Sequence, residues 1–315
     1  MSPLAETIFF VFGLVALGYL CGWTGFLRTE VGDALSDFAV AVAVPMLLFR
    51  TMVNIDFGGG LPLALWATYF PGIVVTWIMA QIVMVRVFGR DAKAAVVGGL
   101  SASFSNLVLL GVPFMLGVYG QPGFEVLSLL VAVHLPSMMA ASIVLFAWAS
   151  RGEGASDPLA IFADFLRKLF SNPLVIGILA GLAWRATGIA LPAIGVRFVD
   201  ALANVAGTVA LFAMGLGLRK FSISGNVAAA IAMAGLKLMV MPGIVLAMAV
   251  LVGLPPFTAK VAIAAASMPT GVNPYLVATR FGTGQALSSS TMTIATACAV
   301  VTTAFWLAVA HYVFG

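Results

Sequence analysis

Helix-breaking residues and polar side chains coincide at two places in an otherwise apolar chain. In Ser267–Arg280 (SMPTGVNPYLVATR), Pro269, Thr270, Gly271, Asn273 and Pro274 stand within six residues of one another. In Ser101–Gly120, a looser group holds Ser105, Asn106, Gly111 and Pro113. Proline lacks the backbone donor and clashes with the turn before it, so a helix entering either stretch breaks. A break in hydrocarbon survives only where protein or a water-filled cavity covers the freed N–H and C=O groups. Half-helix N-termini present free N–H groups and the positive end of the dipole, which favours an anion where two broken helices meet. Asn106 and Asn273 add donors that either orient a carboxylate or satisfy the freed backbone.

Further residues bear on that chemistry. Lys237 stands ten or more residues from either end of an apolar run, a depth at which a charge is costly and marks function. It is a counter-ion for a bound anion, a fixed cation replacing a coupling ion, or a side chain that snorkels or pairs at a distance. His134, before Pro136, either titrates in proton coupling or is a neutral core residue. Arg50 and Arg280 lie near span ends, where snorkelling is the simpler reading. The hydroxyl-rich stretch Ser288–Thr296 reads as small residues that let helices approach closely.

Absent motifs narrow the classes. The chain has no HExxH, no Walker A loop and no Cys/His cluster, so metalloprotease, ATPase and zinc readings lack residues, and neither metal nor cofactor is expected. Cys21 and Cys298 lie far apart in apolar runs and read as buried thiols, with no disulfide or metal implied. An intramembrane enzyme lacks a nucleophile–base pair, and no paired intramembrane aspartates support carboxylate-based antiport.

The elements that must position these residues are membrane helices. The 315 residues are 62% hydrophobic and 8% charged, with a mean hydropathy of +1.14, whereas soluble domains carry roughly 25% charged residues. A helix needs roughly 20 apolar residues to cross a bilayer, and continuous rather than alternating runs argue against a barrel. The net charge of +4 does not suggest nucleic acid. Punctuation gives about ten spans: Leu4–Trp23, Ala34–Val53, Leu61–Phe88, Ala94–Tyr119, Val126–Trp148, Asn172–Trp184, Val199–Leu218, Val227–Leu254, Thr258–Phe281 and Ala286–Tyr312. The first reads as a span rather than a cleaved signal.

Five spans (1–150), a polar linker (151–171) and five more (172–315) place the two halves in opposite orientations. Ala92-Lys93 is echoed by Ala259-Lys260, and Asp33-Ala34-Leu35 by Asp200-Ala201-Leu202. These echoes and the paired breaks fit an inverted-repeat secondary transporter with its site at the midplane. One set of loops holds ten basic residues and the other four, so the linker is expected in the cytoplasm and both termini outside a bacterial-type inner membrane.

Several stretches carry a family resemblance: FAVAVAVPMLLFR (Phe38–Arg50), SFSNLVLLGVPFML (Ser103–Leu116), NPLVIGILAGL (Asn172–Leu182), ALFAMGLGL (Ala210–Leu218) and MPTGVNPYLVA (Met268–Ala278). Over nearly its whole length the chain resembles the auxin efflux carrier family, in its bacterial branch of malonate-type and other organic-anion carriers, related to plant PIN-type exporters. The resemblance implies an all-α fold of ten helices in two inverted five-helix repeats, similar to bile-acid transporters and sodium/proton antiporters. It makes Asn106, Gly111, Pro113, Pro269, Asn273 and Pro274 crossing residues; Ser105 and Gly271 are expected at the crossing with them, and Thr270 to bind substrate with Asn106, Asn273 and Lys237. Pro45 with its neighbour Leu48, and His134, would border the substrate pocket. Leu107-Val108 stand where the family pattern has Thr-Gly, and Thr208 where it often has proline. The expected function is alternating-access transport of a small mono- or dicarboxylate, with membrane lipid around the protein. Proton coupling, sodium coupling and a homodimer stay open, as does a sodium-driven symporter.

Overall fold

A computed structural model describes residues 3–55, 62–150, 163, 166–167, 169–221 and 223–315. Most of the expected linker, 151–171, lies outside the described residues. In chain order the helices are α1 (Pro3–Trp23), α2 (Thr29–Phe38), α3 (Val44–Asn54), α4 (Leu63–Arg86), α5 (Ala92–Ser103), α6 (Val112–Ala149), α7 (Pro173–Ala186), α8 (Ala193–Ala203), α9 (Ala206–Leu218), α10 (Val227–Gly235), α11 (Met241–Val252), α12 (Pro256–Ser267), α13 (Asn273–Phe281) and α14 (Gln285–Phe314). No strand occurs among the described residues, so this is an all-α membrane protein.

Among the described residues, seven helical stretches are long and apolar enough to cross a membrane. Particular residues account for the difference from ten. The expected turn at Gly120–Glu125 is a kink within α6, where Gly120 takes φ 63° and ψ −159°, so two expected spans run together. Helix α7 has only 14 residues. The stretch around Pro269 is split into α12 and α13, of 12 and 9 residues.

Three π-helical turns recur at Ala39–Ala43, Leu107–Gly111 and Leu236–Val240. Each ends two residues before a proline: Pro45, Pro113 and Pro242. A wider turn there makes room for a ring that would clash with the carbonyl four residues back. At Pro242 the carbonyl that loses its donor is Leu238 O, and the Trp306 indole N–H donates to it at 2.7 Å.

Packing divides the chain into two compact units, each drawing on both halves of the sequence. The first comprises Met1–Leu61, Val108–Pro136 and Phe162–Lys220. Helix α1 packs on α9 so closely that a Cβ at Gly215 would fall 2.0 Å from Val15 O. Helix α3 meets α7 at Gly177, where a Cβ would fall 2.5 Å from Pro45 O. Such small-residue seams suit packing in lipid, where apolar attraction between helices is weak. Arg50, near the end of α3, donates to Asp200 at 3.0 Å and to Asn204 at 2.9 Å. Lys220 pairs with Asp33.

The second unit comprises Pro62–Leu107, Ser137–Ile161 and Phe221–Gly315. Helix α4 packs on α5, with the Trp77 ring over Gly99, and on α11. Helix α14 packs on α10, α12 and α5. The apolar contacts include Ala80, Met84, Ala95, Ala102, Ala229, Ala230, Met233 and Leu287.

Candidate functional site

Within the second unit, the two breaks in the sequence meet. Helix α5 ends at Ser103, and Phe104 turns to an extended backbone (φ −79°, ψ 116°). Helix α12 ends at Ser267, and Met268 does the same (φ −60°, ψ 140°). The extended pieces pair: Ser105 and Thr270 form an antiparallel bridge, and the Asn106 N–H donates to Pro269 O at 2.8 Å. Neither proline can donate, so Pro269 takes part through its carbonyl alone. Gly271 lets the chains approach, since a Cβ there would lie 3.2 Å from Phe104 Cε1 and 3.5 Å from Asn106 Cα.

Several of the freed carbonyls find partners, in keeping with the cost of unpaired backbone in hydrocarbon. At the end of α5, Ser103 Oγ donates to Gly99 O at 2.8 Å, the Phe104 N–H to Leu100 O at 2.9 Å, and Thr270 Oγ1 to Ser101 O at 2.7 Å. At the end of α12, Ser267 Oγ donates to Ala264 O at 2.8 Å, and the Met268 N–H to Ala265 O at 3.4 Å. Lys237 Nζ donates to Ala266 O at 2.6 Å, and Thr303 Oγ1 to Ser267 O at 3.3 Å.

Lys237 has no exposed surface, and its other contact is Met241 Sδ at 3.4 Å. The same sulfur lies 4.0 Å from Ser105 Oγ, which also accepts from the Tyr69 hydroxyl at 3.0 Å. Lys237, Met241, Ser105 and Tyr69 therefore form one buried polar chain beside the bridge. Ser101 Oγ and Ser288 Oγ, also buried, lie 3.0 Å apart.

This arrangement brings together Ser105, Asn106, Pro269, Thr270, Gly271 and Lys237. Asn273 is half-buried at the first turn of α13, with Pro274 buried next to it. Pro45, Leu48, Gly111, Pro113 and His134 belong to the first unit. There Pro45 packs against Gly177, Pro113 lies where a Cβ on Gly207 would come within 3.2 Å, and Leu48 and His134 are buried. Sequence reasoning missed Tyr69, Met241, Thr303 and Trp306. Tyr69 carried a faint signal, a hydroxyl two residues before a proline in an apolar run. The hydroxyls of Ser288–Thr296 do more than fill space, since Ser290 Oγ donates to Ser224 O and accepts the Ser224 N–H, each at 2.9 Å.

A cavity of about 430 Å³ in the second unit lies among Arg90, Asp91, Asn226, Thr283 and Gln285. None of the residues expected at the site lines it.

With this geometry in hand, the chain can be set beside known proteins. Residues 3–307 match a family described as membrane transport protein. A "Putative malonate transporter" of Rhizobium meliloti (strain 1021) is 25% identical over 323 residues, covering 96% of this chain and 94% of that protein. An "Uncharacterized transporter" of Methanothermobacter thermautotrophicus is 25% identical, covering 96% of each. A mouse "Lysosomal cholesterol signaling protein" is 26% identical over 218 residues, which is 65% of this chain and 24% of the mouse protein.

Proposed function

The chain belongs to the membrane transport protein family, the auxin efflux carriers of the resemblance above, and from that premise we propose that it is a secondary transporter of small carboxylates. The observation that carries the proposal is the paired crossing, with the Asn106 N–H on Pro269 O and Ser105 bridged to Thr270. Two half-helices end there, α13 begins beside it, and Asn106 and Asn273 stand next to the start of the following helical segments. Helix N-termini and amide donors in a site shielded from water suit a carboxylate. The malonate named for the Rhizobium relative is the first substrate to try.

Ten helices in two inverted repeats, 1–150 and 172–315, are the architecture we propose for it. Lys93 and Lys260, Asp33 and Asp200, and Asn106 and Asn273 all stand 167 positions apart. Applying that offset to the Ser105–Thr270 bridge pairs Ser103 with Val272 in the same antiparallel register. The centre of that register falls at Phe104 and Gly271, where a Cβ on the glycine would lie 3.2 Å from the Phe104 ring. The echoed aspartates behave alike as well: Asp33 takes Lys220, just past α9, and Asp200 takes Arg50, near the end of α3.

The same reading places the protein in the cell inner membrane, with both termini outside and 151–171 in the cytoplasm, from the ten-to-four basic asymmetry. An impermeant thiol reagent should leave Ser156→Cys unlabelled in intact cells, and labelling there would reverse the topology. The function is tested by counterflow: proteoliposomes loaded with malonate should accumulate labelled malonate above protein-free liposomes. No accumulation with malonate or with a panel of other mono- and dicarboxylates would refute it.

A further inference from the structure

The Lys237 side chain has a second reading, which rests on the crossing being the transport site. We infer that its ammonium is a built-in substitute for a monovalent metal cation, so that the crossing is complete without sodium.

Position is the first ground. The last four carbonyls of a helix have no partner within it and carry the negative end of the dipole. In transporters with broken helices, such half-helix ends and unwound carbonyls coordinate the coupling cation. Here the four carbonyls of Ala264 to Ser267 meet two hydroxyls, one N–H and one ammonium. Lys237 is the only charged donor among them. Its 2.6 Å contact with Ala266 O is at the short end for a nitrogen donor, as charge-assisted bonds are.

The surroundings are the second ground. The ammonium touches one carbonyl and one thioether, acceptors that suit a small cation and do not neutralise it. Between Phe221 and Gly315 the sequence contains no Asp or Glu, and none occurs in α4 or α5. A metal ion at this helix end would have carbonyls and hydroxyls but no carboxylate in reach. An ammonium tethered between α10 and α11 supplies the charge from within the chain. A freely diffusing anion is a poorer partner for it, since Lys237 has no exposed surface and two of its three donors already point at Ala266 and Met241.

The breaks differ in this respect. The end of α5 is closed by Thr270 Oγ1 and by α5's own Ser103 and Phe104, all neutral. At the position 167 residues before Lys237 stands Phe70, which carries no charge. A single fixed cation therefore serves one of the two half-helix ends.

Lys237→Met removes the charge and keeps most of the stem. Its thermal unfolding is compared with wild type in sodium chloride and in choline chloride at equal ionic strength. The variant should melt several degrees below wild type in choline and recover with sodium, while wild type melts alike in both salts. A variant that gains nothing from sodium over choline, or a wild type stabilised by sodium, would overturn the inference. If Lys237→Met does not fold, wild-type malonate counterflow decides: equal rates in sodium and choline support the inference, and a sodium requirement overturns it. Melting is read without substrate, so failure of carboxylate transport would refute the proposed function and leave the melting comparison to stand alone.

Discussion

The break after α5 and the break after α12 solve one problem with different chemistry. Both end a half-helix at a serine, pass through an extended residue and pair with each other. After α5 the freed carbonyls are met by neutral donors, and the chain re-enters helix through the π turn at Leu107–Gly111. After α12 a buried ammonium and a threonine close the end, and Asn273-Pro274 start α13 directly. Phe104 on one side faces Gly271 on the other. The two ends therefore share one backbone pairing and differ in charge and bulk. The side with the charge is the one on which cation dependence should be decided.

The largest test of that contrast is Phe104→Ala. Phe104 is buried and fills the space that Gly271 leaves, and Phe→Ala in a packed core costs about 3–5 kcal/mol. A large fall in melting temperature is expected, whereas a small one would mean that the crossing is not packed through this pair.

Next come the hydroxyl caps. Thr270→Val leaves Ser101 O unpaired, and a buried unsatisfied carbonyl costs about 1–3 kcal/mol. Thr303→Val breaks the longer 3.3 Å bond to Ser267 O and should cost less. The reverse order in thermal unfolding would contradict the view that the neutral break leans on Thr270 more than the charged break leans on Thr303.

How much of this was readable beforehand follows from the range of each effect. Proline acts on its own turn, so the break beside Pro269 was legible from spacing, whereas the chain leaves α5 at Phe104, nine residues before Pro113, which stands in the first turn of α6. The fold class followed from apolar run lengths. Partner choice was not legible, because it depends on contacts far along the chain: Tyr69 with Ser105, Lys237 with Ala266, Trp306 with Leu238. Arg50 read as a snorkelling side chain because Asp200, its partner, lies 150 residues away. The packing units were hidden for the same reason, since each gathers segments from both halves.

The smallest effect belongs to the ion pairs of the first unit. Lys220→Ala removes the pair with Asp33, both partly exposed, and such pairs are worth about 0.2–1 kcal/mol. The melting temperature should barely move. A loss as large as that of Thr270→Val would show that this echoed pair holds the unit together as strongly as the crossing caps do.

The central claim is that carboxylate binds at the crossing through both asparagines. The direct measurement is the affinity of labelled malonate for wild type, Asn106→Ala and Asn273→Ala, each checked for folding by its thermal transition. A hydrogen bond to a charged group is worth about 1.5–3 kcal/mol, so each variant should bind roughly ten- to a hundred-fold more weakly. Two folded variants with wild-type affinity would leave the asparagines as backbone supports and move the carboxylate site elsewhere.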